Sequence, residues 1–108
     1  MNYWAIDKDF RIKHLLILLS QSLGEKSFSI ANNPDENMES VRIINPNDDT
    51  LSAYVYTYGQ EEECYGVHLE YPDLQETSLN NTLDIYDNVN FASLCELIQT
   101  HLNIFKQK

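Results

Sequence analysis

The side chains able to do chemistry in this chain are three histidines, two cysteines and many carboxylates. Cys64 and His68 are four apart in a segment of strand character, so they share a face, as a nucleophile and its base or two metal ligands would. At ~3.3 Å per residue they stand ~13 Å apart, too far to touch. An enzyme built on this sequence would have to use His68 and Glu70, which also share that face. His101, between Ile98 and Leu102, reads as a core-flanking histidine with its hydrogen bonds satisfied. Asn45-Pro46-Asn47-Asp48-Asp49 resembles a sparse calcium loop but lacks the closing Glu of an EF-hand, so a solvated turn is expected. There is no glycine-rich phosphate loop, HExxH, GxSxG or CxxC. No metal or cofactor is expected, and a binding protein is favoured over an enzyme.

The carboxylates are informative once located. The 108 residues carry 17 Asp and Glu against 7 Lys and Arg, a net charge of -10. Residues 1–42 hold six acids and five bases, whereas residues 43–105 hold eleven acids and no Lys or Arg. Phosphates repel such a chain, so nucleic acid and anionic membrane are excluded as partners in favour of something basic. Solubility alone is the competing explanation of the charge.

The elements that must position these groups follow from periodicity. Asp7 or Asp9 caps a helix running to Leu23, with Gly24 as its stop and Phe10, Leu15, Leu18, Leu19 and Leu23 as its apolar positions. The period then changes to two. Strands are expected over Lys26–Ala31, Met38–Ile44, Leu51–Tyr58 and Glu63–Tyr71, with turns at Asn32–Asn37, Asn45–Asp49 and Gly59–Glu62. Pro72 ends the fourth strand. Thr82–Tyr86 is either a short edge strand or loop. Asn90 caps a last helix whose face carries Phe91, Leu94, Cys95, Ile98, Leu102 and Phe105. Short connections imply an antiparallel meander. The fold class is therefore α+β in one domain, 1–108: four to five strands, with the N-terminal and C-terminal helices packed on one face.

That architecture leaves the other sheet face wet. In strand 51–58, Leu51, Ala53, Val55 and Thr57 alternate with Ser52, Tyr54, Tyr56 and Tyr58. Joining the aliphatic set to Val67 and Leu69 gives a continuous core and sets Tyr54, Tyr56, Tyr58, His68 and Glu70 together outside. With Glu61, Glu62 and Glu63 in the adjoining turn, and with Asp73, Asp84 and Asp87 beyond, an aromatic and acidic patch forms. It suits Lys and Arg side chains through ion pairs and cation–π contacts. Cross-strand stabilisation is the competing role for the tyrosines.

The acid-only stretch, the strand Ala53-Tyr54-Val55-Tyr56-Thr57-Tyr58 and the helix Phe91-Ala92-Ser93-Leu94-Cys95-Glu96-Leu97-Ile98, in this order and size, resemble the small immunity proteins of bacterial contact-dependent growth inhibition systems. The resemblance covers the whole chain architecturally and rests on no diagnostic motif. It implies an acidic protein, monomeric outside its complex, that occludes the active site of one cognate toxin, often a basic nuclease domain. Type III secretion chaperones, also small, acidic and α+β, are the alternative; those dimerise, and no dimerisation helix is evident here.

The compartment reads as cytoplasmic. The run Leu15–Leu19 is shorter than a signal-peptide core and is preceded by acids, and no segment approaches membrane-spanning length. Cys64 and Cys95 are expected as buried free thiols.

Overall fold

A computed structural model of the protein describes residues 3–31, 37–71 and 84–104. After a 3-10 turn (Tyr3–Ala5) the elements run α1 (Phe10–Leu23), β1 (Ser29–Ile30), β2 (Ser40–Asn45), β3 (Asp48–Tyr56), β4 (Tyr65–Glu70), β5 (Asp84–Val89) and α2 (Phe91–His101). The five strands form one antiparallel sheet in sequence order, which is the meander that short connections demand.

Both helices begin on a side chain that satisfies an otherwise orphaned amide. Asp9 accepts from the Arg11 N–H at 3.3 Å, and Asn90 from the Ser93 N–H at 2.8 Å. Gly24 ends α1 at φ 102°, a conformation that excludes most side chains, with its N–H returned to the Ser20 carbonyl. The buried stripe of α1 is Ile12, Leu15, Leu16, Leu19 and Leu23. Phe10 was expected on that stripe but is 64% exposed, and Leu18 is half-buried. Ile12 and Leu16 take their places because the 3.6-residue period runs back from Leu23 through Leu19, Leu16 and Leu15 to Ile12, missing Phe10.

These leucines, with Leu94, Ile98 and Leu102 from the second helix, pack on Val41, Ile43, Ala53, Val55, Val67 and Leu69. One sheet face is thereby covered, and the apolar register is the expected one: Ala53 opposes Leu69 and Val55 opposes Val67. Among the described residues the buried Ser and Thr side chains are satisfied, Ser40 by the Asn37 carbonyl and Thr57 by the Glu39 carbonyl.

Several boundaries differ from expectation. The first strand has two residues rather than six, because the chain is still turning at Ser27, whose N–H and hydroxyl both return to the Gly24 carbonyl. Asp48 and Asp49 belong to β3 and not to the preceding turn. Asn45 pairs with Asp48, so the turn shrinks to Pro46-Asn47 and closes with the Asn45 side chain accepting from the Asn47 N–H. The fourth strand starts only at Tyr65. The segment read as edge strand or loop supplies an edge strand, Asp84–Val89 among the described residues, which runs on past the expected end at Tyr86; residues 82 and 83 lie outside them. The expected turn at 32–37 lies, except for Asn37, outside the described residues, as do Pro72, Asp73 and Phe105. Cys64 and Cys95 are in no disulfide among the described residues and are half-buried rather than buried.

Candidate functional site

On the uncovered sheet face, pairing places Arg42 opposite Tyr54, Tyr54 opposite His68, Tyr56 opposite Gly66, Ser52 opposite Glu70 and His68 opposite Ile85. Opposed residues share a face. Tyr54, Tyr56, His68 and Glu70 therefore stand together as expected, and Tyr58 joins them just past the strand end.

The rings form one cluster. Tyr56 stacks on Tyr58 at 4.7 Å between centroids and meets His68 edge-on at 5.1 Å. Tyr54 lies 5.9 Å from Tyr56 and 5.8 Å from His68. These are the separations at which aromatic pairs attract.

Tyr56 departs from the exposure expected of it. It is 6% exposed although it sits on the wet side. Its ring lies over Gly66, where a Cβ would overlap it, and its hydroxyl donates to Asp87 Oδ1 at 2.9 Å. Burial first, and the Asp87 carboxylate second, push the phenol up to about 12. Tyr56 is thus the filled centre of the face. Tyr58 and Ile85, 39% and 54% exposed, are its accessible apolar groups, with Tyr54 and His68 half-buried between them.

Glu70 is not a free anion. Its carboxylate receives Arg42 Nε at 2.6 Å and Nη2 at 3.1 Å, and the Ser52 hydroxyl at 2.7 Å. Burial alone would raise its carboxyl; Arg42 and Ser52 outweigh that and hold it below the usual carboxylate range. Arg42 also lies 5.1 Å from the Tyr54 ring centroid. Glu70 is held by these partners rather than poised beside His68 as an acid–base pair. The sequence carried the signal for Arg42. With Val41 and Ile43 inward, alternation sends it outward, and the next strand of the hairpin brings the tyrosines beside it.

The remaining acids do not form one patch. Asp87 reaches the outer face through Tyr56. Asp84 opposes Leu69 on the helix side, where it accepts from the Tyr71 hydroxyl at 2.7 Å. That bond, followed by burial, raises the Tyr71 phenol. Glu61, Glu62 and Glu63 are exposed in the loop after β3. The loop is latched to the edge strand: Glu61 N–H donates to Asn88 Oδ1 at 2.7 Å, and Asn88 N–H to Gln60 Oε1 at 2.6 Å. Glu62 and Glu63 line a cleft on the helix side, not the sheet face. His101 is satisfied as expected. Its Nε2 lies 3.1 Å from the Ser52 carbonyl and 2.9 Å from that of Glu70, so this nitrogen carries the proton.

Among the described residues no group of three His, Cys, Asp or Glu side chains is placed to hold a metal, and no helix is long and apolar enough to cross a membrane. Compared with protein-family models, with curated proteins and with solved structures, the chain matches none.

Proposed function

We propose that the protein neutralises a cognate basic toxin, a nuclease domain being the best fit, by binding it through the uncovered sheet face and the acidic loop beside it. It acts in the cytoplasm as a monomer and catalyses nothing itself. The observation that carries this reading is the ring cluster of Tyr54, Tyr56, Tyr58 and His68 on a sheet face that no helix of the described residues covers. Tyrosine and histidine give such a surface apolar area with polar tips, the composition from which interface hot spots are drawn. The exposed Glu61, in the loop beside that face, supplies charge complementary to a phosphate-gripping groove. Half-buried cysteines outside any disulfide among the described residues suit a reducing compartment.

The test is co-expression with the C-terminal domain of a large secreted protein encoded directly upstream, followed by calorimetry of the purified pair. Rescue of growth, with affinity falling steeply as NaCl rises from about 0.05 to 0.5 M, is the expected outcome. Tyr58→Ala and His68→Ala should each weaken binding, by about 2 kcal/mol if they are hot spots. Affinity indifferent to both salt and these substitutions overturns the proposal.

A further inference from the structure

The helix-side cleft has its own chemistry. It encloses about 680 Å³ between the first turns of both helices and the loop after the third strand. Arg11 and His14 line it from α1, Glu62 and Glu63 from the loop, and Phe10 and Phe91 form its apolar walls. The Phe10 ring is 64% exposed, flanked by Trp4 at 5.6 Å and His14 at 6.1 Å between centroids.

Charges of both signs face this space without meeting. Arg11 Nη2 is buried and has no acceptor among the described residues. Among those residues Glu62 and Glu63 take part in no ion pair with Arg11 or any other cation. A buried guanidinium nitrogen lacking an acceptor is costly. Glu63 itself has a left-handed backbone, φ 62°, which is uncommon for a residue other than glycine. A cation, separate carboxylates and aromatic walls in one cleft are complementary to a zwitterion with an apolar body.

We propose that this cleft binds a free α-amino acid with an aromatic or large aliphatic side chain. Its carboxylate accepts from the Arg11 guanidinium, its ammonium donates to Glu62 and Glu63, and its side chain lies between Phe10 and Phe91. The end of a peptide chain presents only one of the two charges, which separates the two sources of this chemistry.

The test is an NMR titration of the full chain with L-phenylalanine, N-acetyl-L-phenylalanine and L-phenylalanine amide. L-Phenylalanine is expected to shift the amide signals of Arg11, His14, Glu62, Glu63 and Phe91. Each blocked compound should bind about tenfold or more weakly, the loss of one charge-assisted contact. Arg11→Gln should weaken L-phenylalanine while leaving the amide unchanged, and Glu62→Gln with Glu63→Gln should do the converse for the acetyl compound. No shifts with about 20 mM L-phenylalanine overturn the proposal, because a ligand this weak at its own charge pair has no built site. Equal binding of the acetyl compound or of the amide also overturns it, in favour of a peptide C-terminus or N-terminus respectively. The comparison of compounds uses the unaltered protein, so it stands even if a variant fails to fold.

Discussion

Tyr56 shows how one side chain can sit on an outer face and still belong to the structure. Its ring fills the space that Gly66 leaves, and its hydroxyl donates a hydrogen bond to Asp87. Tyr56→Ala should therefore cost about 3–5 kcal/mol in urea unfolding, and Tyr56→Phe about 1 kcal/mol for the hydrogen bond alone. Gly66→Ala should be destabilising in the native background and much less so beside Tyr56→Ala, since the overlap is with that ring; a double-mutant cycle reads the difference. The phenol's folded pKa of about 12 lies above the ordinary 10.0, so the folded state holds its proton longer than the unfolded chain. The associated stability is complete below pH 10 and lost as pH rises from there through the folded value, and Tyr56→Phe should flatten that alkaline limb. Glu70 works at the other end. Its folded pKa is lowered, so its contribution is present above the unfolded value and lost as pH falls through the folded one. Arg42→Met should remove part of that acid sensitivity, measured as the change in urea midpoint between neutral and acid pH. Tyr56's position on the face was legible from alternation alone. Its burial was not, because that depends on the absent side chain at position 66 on another strand.

At the level of elements, the ends of the helices were the most readable feature, since caps act through immediate neighbours. Asp9, Gly24 and Asn90 fall where the sequence places them. Asp9→Ala should lower stability by about 1 kcal/mol, visible as a lower thermal midpoint with the helical circular dichroism of the folded state retained. The strands were read less well, and each miss has a tertiary cause. β1 is cut short by hydrogen bonds from Ser27 to Gly24, while β3 starts early because Asn45 and Asp48 pair. The edge strand Asp84–Val89 has almost no inward apolar alternation to announce it; Asp84 and Tyr86 occupy its core-side positions opposite Leu69 and Val67. Its hydrogen bonds to β4 define it instead, and those belong to the partner strand as much as to itself.

For the molecule as a whole, the charge of -10 acts twice, with opposite consequences for salt. The isolated protein repels itself, so added NaCl should raise its thermal midpoint. Its complex with a basic partner should weaken over the same range. Opposite slopes in one titration series would separate folding from binding; parallel slopes would count against a charge-led interface. The segregation of acid into residues 43–105 was legible in the sequence. Its distribution in space was not: Arg42, from outside that stretch, enters the middle of the face, while Asp84, Glu62 and Glu63 fall on the helix side.

The pairing of Arg42 with Glu70 also sets how such a surface would be used in time. With its central charges neutralised, the face offers a partner rings at the middle and anions only around them. Peripheral charges govern the rate of encounter, whereas well-packed central groups govern the rate of escape. Substituting Glu61 should therefore slow association and leave the lifetime of the complex nearly unaltered. Substituting Tyr58 should shorten that lifetime at an unaltered association rate. A protein organised in this way could trade one cognate partner for another by changing its rings, while its reach for basic surfaces stayed the same.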